Sequence, residues 1–184
     1  LNNVKIYTPE ADLKDNGKYV SVEKGINFWL DDDFEIDPTY LQYGIANLLQ
    51  NTPDTMFSFH GWSGVSYRDR QVYHFAASMS QRVECAVLGT GLSSMHITKS
   101  STCEVFSSVS RSRTVGMVDL LIARSCAFLG IRRYVLERED HLLKAKNIPK
   151  SPALFEVNKD PIKTKRIDTI LSQISALDAE NPSR

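Results

Sequence analysis

Apolar side chains crowd residues 114–139, TVGMVDLLIARSCAFLGIRRYVLERE, more densely than any other part of the chain. Val115, Met117, Val118, Leu121, Ile122, Cys126 and Leu129 recur at helical spacing, and Leu120, Ala123, Ala127 and Phe128 widen the stripe almost to a full circle. A helix apolar on nearly every side has to be covered by other elements, which places it at the centre of the expected core. Thr114 is its expected N-cap. Gly130 is its expected C′ residue, because a residue without Cβ turns through positive φ at no steric cost. Residues 132–138 place β-rich side chains between charges and predict a strand immediately after.

Elsewhere the pattern alternates between short strands and two further helices. Residues 25–30 and 34–36 read as one strand broken or continued across Asp31, Asp32 and Asp33. Asp37-Pro38 is a cap followed by proline at the first helical position, and Leu41, Ile45, Leu48 and Leu49 then form an apolar stripe that ends at residues 51–54. Strands are predicted at 56–59, 71–79, 83–88, 95–98 and 102–109, separated by Gly- and Ser-rich turns. Asp160-Pro161 repeats the cap-and-proline signal, and Ile167, Ile170, Leu171, Ile174 and Leu177 predict an amphipathic helix that frays after Glu180. The expected fold is α+β: a single compact domain, an antiparallel sheet packed with two or three helices, plus a C-terminal amphipathic helix. Residues 1–22 are expected to be a flexible arm, 23–139 the core, and 140–184 a basic linker and the last helix.

A chain of 184 residues buries a sufficient core without covalent staples. Cys85, Cys103 and Cys126 are odd in number and widely spaced, so buried free thiols in a reducing compartment are expected. No run reaches the roughly 20 apolar residues that span a bilayer, and no signal peptide opens the chain, so an intracellular or peripheral protein is expected. Leu1 is not an initiator methionine, which suggests that the numbering begins inside a longer gene product.

The net charge of zero conceals an uneven distribution. Residues 1–60 carry a formal charge of −6, residues 61–166 carry +8 and residues 167–184 carry −2. A molecule so divided can meet its own copies, acidic front against basic back, and its basic middle suits RNA or an anionic membrane surface.

Motifs of catalysis are sparse. Residues 60–64, HGWSG, resemble the turn that forms an oxyanion hole in α/β hydrolases, yet the nearest G-x-S-x-G approach, Gly91 to Met95, lacks the closing glycine and precedes a strand. Cys85 or Cys103 paired with His74 or His96 is a candidate nucleophile arrangement, but each thiol sits among strand residues and reads as structural. The four histidines have no zinc-ligand spacing, the Asp31–Asp33 triplet lacks the alternation of a calcium loop, and no phosphate-binding glycine motif is present. Neither a metal nor a cofactor is expected.

The order of elements resembles that of the matrix proteins of rhabdoviruses and related negative-strand RNA viruses. An aromatic strand at 26–30 leads to a helix at 38–49, a strand at 56–60, a tyrosine- and phenylalanine-bearing segment at 73–77 and further strands. The buried helix then runs through Ala127-Phe128-Leu129-Gly130-Ile131 into a charged strand, the junction where the likeness is greatest. The likeness spans about residues 22–139 and is one of pattern. Residues 1–22 hold neither the basic arm nor the proline-rich late-domain motif usual in that family, which a divergent plant-infecting member would fit.

The resemblance implies a non-enzymatic protein of the virion and of the host cytoplasm, nucleus or membrane periphery. Its partners would be itself as a homo-oligomer, the viral nucleocapsid or RNA, and an anionic membrane. Asp31, Asp32, Asp33 and Glu35 would meet Lys144, Lys146, Lys150, Lys163, Lys165 and Arg166 of a neighbouring copy, each exposed pair worth about 0–1 kcal/mol and many acting together. The alternatives are a small hydrolase-like enzyme using His60 or His74 with a Cys or Ser nucleophile, and a regulatory nucleic-acid-binding module.

Overall fold

The computed structural model describes residue 10 and residues 12–114, 116–138, 142–146 and 161–181. Lys14–Tyr19 is a 3₁₀ turn, followed by β1 (Gly25–Leu30), β2 (Phe34–Ile36) and helix α1 (Thr39–Gln50). Then come β3 (Met56–Ser58), β4 (Gly61–Ser63), β5 (Gln71–Tyr73), β6 (Val83–Glu84), β7 (Val87–Leu88) and β8 (Leu92–Ile97). Helices α2 (Ser100–Val109) and α3 (Val118–Leu129) precede β9 (Arg133–Val135) and β10 (Leu143–Ala145), and α4 spans Pro161–Glu180.

A five-stranded sheet in the order β1-β8-β3-β9-β6 organises the molecule, antiparallel except for the parallel pair β3–β9. Strands β5-β4-β7 form a second sheet and β10-β2 a third. Successive side chains on a strand point to opposite faces, and both faces of the main sheet are covered, so β3 is buried throughout and β8 and β9 at all but His96 and Tyr134. Met56 and Met95, directly paired, join Phe106, Val118, Ile122 and Cys126 in the core beneath α2 and α3. Phe57 turns the other way and meets Tyr40, Leu48, Phe59 and Leu136 in the core beneath α1. A third cluster joins α3 to α4: Leu120, Ala123 and Ala127 pack on Ile167, Ile170, Leu171 and Ile174. The α+β architecture with a C-terminal amphipathic helix is therefore present, and that helix docks on its own core.

Several elements differ from expectation for identifiable reasons. The expected arm is packed from Lys14 onward. Tyr19 is fully buried and stacks on Trp29 at 5.1 Å, with Phe106 closing the trio at 6.0 and 6.1 Å. Residues 1–9 and 11 of that arm lie outside the described residues, as do 147–160 of the expected linker. Residues 102–109 form a helix rather than a strand, because Thr102, Phe106 and Val109, spaced at helical intervals, all reach the core only in that conformation. Residues 83–88 divide between two sheets as β6 and β7, and only Gln71–Tyr73 of the expected 71–79 strand pairs as one; Met79 makes an isolated bridge to Arg138. Leu143–Ala145, expected as a surface crossing, pairs with β2.

Helix termini follow local chemistry. Asp37 Oδ1 accepts the Thr39 N–H at 2.8 Å, the predicted cap of α1. Gly130, at φ 68°, closes α3 in the left-handed conformation, also as predicted. Helix α3 begins at Val118 rather than beside Thr114, because Gly116 at φ 71° turns the chain just ahead of it.

Candidate functional site

Two features stand out on this scaffold: an uncharged sheet edge and a deep cleft. Strand β1 lies at the edge of the main sheet, and neither Gly25–Leu30 nor Thr39–Gln50 contains Asp, Glu, Lys, Arg or His. Helix α1 lies over this edge, with Phe28 of β1 seated against Gly44 so closely that a Cβ there would fall 2.7 Å from the ring. That contact sets the helix's rotation. Tyr40, Gly44 and Leu48 turn inward, and Leu41, Ile45 and Leu49, expected in the core, stand 44%, 38% and 66% exposed. Ile26 and Leu30 of β1 are also exposed.

The cleft, about 700 Å³, opens where the amino end of α3, the turn before β8 and the β4–β5 hairpin converge. Its polar end is built around Thr90-Gly91. The Thr90 N–H and hydroxyl both donate to Asp119 Oδ1, at 2.9 and 2.6 Å. Burial raises the Asp119 carboxyl above its ordinary range against the lowering effect of those bonds. Asp31 folds its carboxylate over Gly91, where a Cβ would meet Asp31 Oδ2 at 1.7 Å, and pairs with Lys18. Asp15 Oδ1 accepts the Gly116 N–H at 3.2 Å on the same rim.

The other half of the cleft is aromatic and aliphatic. Phe34 and Phe75 meet edge to face at 4.9 Å, Trp62 and Tyr67 at 6.1 Å, and Met117, Leu120 and Ile167 complete the wall. Arg70 stacks 3.8 Å from the Tyr67 ring, and Tyr67 is held by its N–H donating to Asp168 Oδ1 of α4 at 2.8 Å. His60 and His74, from opposite sides of the hairpin, approach edge-on at 5.4 Å. Burial lowers the His60 pKa to about 4, with the charges of His74 and Arg138 adding to the effect, so its imidazole is neutral near pH 7.

Among the described residues this lining holds no cysteine or serine, and the Thr90 hydroxyl is committed to Asp119. Cys85 and Cys126 are buried in the core, their thiols pushed up to about 11 and about 12 by desolvation. Cys103 lies on α2. The cleft thus joins the two histidines singled out in the sequence but supplies neither of them with a thiol or serine partner. Among the described residues no group of three or more His, Cys, Asp and Glu is arranged to hold a metal ion.

The residues predicted to pair between copies are partly paired within one. Asp31 faces Lys18, Glu35 stands opposite Lys144 in the β2–β10 ladder, and Lys146 donates its N–H to Asp33 O at 2.8 Å and its Nζ to Asp32 O at 2.6 Å. Lys163, Lys165 and Arg166 lie on the first turns of α4, where Arg166 Nη2 donates to Thr114 Oγ1 at 2.8 Å. Lys150 lies outside the described residues. Sequence reasoning did not find Asp15, Thr90 and Asp119; the Gly89-Thr90-Gly91 turn was legible, but nothing local links it to α3.

In comparisons with known proteins, no family model and no curated protein matches the chain.

Proposed function

We propose that this protein is a non-enzymatic, self-associating structural protein of the matrix type, and that copies meet through the β1–α1 edge. The observation that carries this reading is the uncharged surface itself: an edge strand and the helix above it, exposing Ile26, Leu30, Leu41, Ile45 and Leu49 with no Asp, Glu, Lys, Arg or His in either element. Edge strands present unpaired backbone groups that template pairing with another chain. A second copy offers the same uncharged strand and stripe, so a two-fold contact buries no unpaired charge.

The contact is expected to be weak. The 12-residue α1 is about 18 Å long, and one helix face beside a six-residue strand falls short of the roughly 800 Å² per partner of a standard interface. A two-fold contact closes as a dimer, so larger assembly would need a second contact surface acting together with this one. The β1–α1 contact differs from the expected charge-paired interface, whose Asp32, Asp33 and Glu35 lie beside Lys144 and Lys146 of their own chain through backbone hydrogen bonds and strand register. Condensation of viral ribonucleoprotein and attachment to an anionic membrane are the parts of the proposal that rest on the family resemblance, with the +8 charge of residues 61–166 as their support. No helix among the described residues is long and apolar enough to cross a membrane. Sedimentation velocity of the protein and of Leu49→Glu, over a range of concentrations and salt, tests the reading; association that persists at high salt and is lost in the variant is expected.

A further inference from the structure

We propose that the cleft between α3 and the β4–β5 hairpin is a binding site for a small organic cation, an amine carried on an aromatic or aliphatic body. The site is independent of the β1–α1 edge and of any assembly made there. Its volume, about 700 Å³, lies within the range of pockets that enclose small ligands, and its composition follows their usual plan: apolar walls with a few fixed polar groups.

The charge at the polar end selects the ligand. Asp15, Asp31 and Asp119 stand against Lys18 and Arg70 in the lining, a formal charge of −1 when all are ionised, and the Lys18 ammonium is paired with Asp31. Thr90 and Gly116 point N–H groups at Asp119 and Asp15, but a carboxylate has about four lone-pair sites and these bonds leave acceptor capacity over. An ammonium group adds donors and charge to the Lys18, Thr90 and Gly116 groups already at this end, and its charge offsets the burial and the Asp31 repulsion that raise the Asp119 carboxyl. An anion entering here would meet three carboxylates, one of them paired with Lys18.

Geometry holds these groups in place for that role. Gly91 has no side chain where Asp31 folds over the turn, and Asp31 N donates back to Gly91 O at 2.9 Å. Thr90, one residue earlier, anchors Asp119 from the opposite side, so one two-residue turn fixes both carboxylates. The ligand's body would lie against Trp62, Phe75 and Leu120, and the Arg70 guanidinium in the same lining is engaged in its stack on Tyr67.

Isothermal titration of the intact chain with three probes of one shape tests this: tryptamine, indole-3-ethanol and indole-3-propionate. Tryptamine is expected to bind at least tenfold more tightly than the alcohol, and the carboxylate to bind most weakly. Asp31→Asn and Asp119→Asn are each expected to reduce that amine preference severalfold or more, with far-ultraviolet circular dichroism confirming that each variant is folded. Lys18→Met, which removes the opposing ammonium, is expected to bind tryptamine at least as tightly as the parent. Equal or tighter binding of the carboxylate, no binding of tryptamine at millimolar concentration, or an amine preference unchanged in every folded variant would overturn the proposal.

Discussion

Gly91→Ala separates the cleft from the stability of the fold. An added Cβ would stand 1.7 Å from Asp31 Oδ2 and 2.3 Å from Asp31 Cγ, so the carboxylate must swing away from the turn. The three nearest atoms all belong to the Asp31 carboxylate, the end of a short side chain. Two effects on stability then oppose one another. Replacing glycine where its backbone is compatible with alanine stabilises by about 0.4–1 kcal/mol, through the smaller conformational freedom of the unfolded chain. Losing the Lys18–Asp31 pair, whose side chains are 22% and 34% exposed, costs up to about 1 kcal/mol. The net change expected in urea denaturation is within about 1 kcal/mol of zero. Tryptamine binding, by contrast, is expected to fall by several-fold or more, since one of the carboxylates that select the amine has moved. A loss of stability above about 2 kcal/mol, a severity reserved for core and backbone disruption, would refute the reasoning that Asp31 alone yields, and undiminished amine binding in a stable variant would refute its role in the cleft.

Three further outcomes follow from buried ionisable groups. Arg133, its side chain 6% exposed, donates to Cys85 O and Ala123 O and pairs with Asp178 of α4. Asp178→Ala should cost about 1–3 kcal/mol in urea denaturation, less than for a fully buried pair because Asp178 is 43% exposed and water can take its place. His60 has a folded pKa of about 4 against an ordinary value of 6.5, so it contributes stability that is fully present above pH 6.5 and lost as pH falls towards 4. The difference across that window is roughly 3 kcal/mol, and His60→Gln should reduce the slope of stability against pH there. Finally, a thiol reagent applied to the native protein at pH 8 should modify Cys103 well before Cys85 and Cys126, whose burial raises their pKa values to about 11 and about 12; mass spectrometry of digested peptides reads the order.

The helices with long apolar periodicity were legible in the sequence. Val118–Leu129 is buried on most sides, Gly130 ends it, and Ile167, Ile170, Leu171 and Ile174 face inward as their spacing predicts. Short elements were not legible, because tertiary packing decided them. Residues 102–109 hold enough β-branched side chains to read as a strand, yet the place of Phe106 beside Tyr19 and Trp29 requires a helix. The stripe read for helix α1, Leu41, Ile45, Leu48 and Leu49, places only Leu48 inward; the approach of Phe28 to Gly44, a contact between distant residues, turns the other three outward. The cleft was the least legible feature. Asp15, Asp31 and Asp119 come from three separate segments, and Asp31 had been assigned to a contact between copies. His60 and His74 were noticed singly, and only the β4–β5 hairpin brings them together.

Self-association through the β1–α1 edge is tested most directly by sedimentation velocity of the parent chain and Leu49→Glu at matched concentrations, from low salt to 1 M. Leu49 is 66% exposed, so the substitution should leave the fold intact while placing a charge on the contact. The predicted result is a parent whose weight-average sedimentation coefficient rises with concentration at every salt level, beside a variant that remains monomeric. A parent that stays monomeric throughout, or a variant that associates as the parent does, would contradict the account.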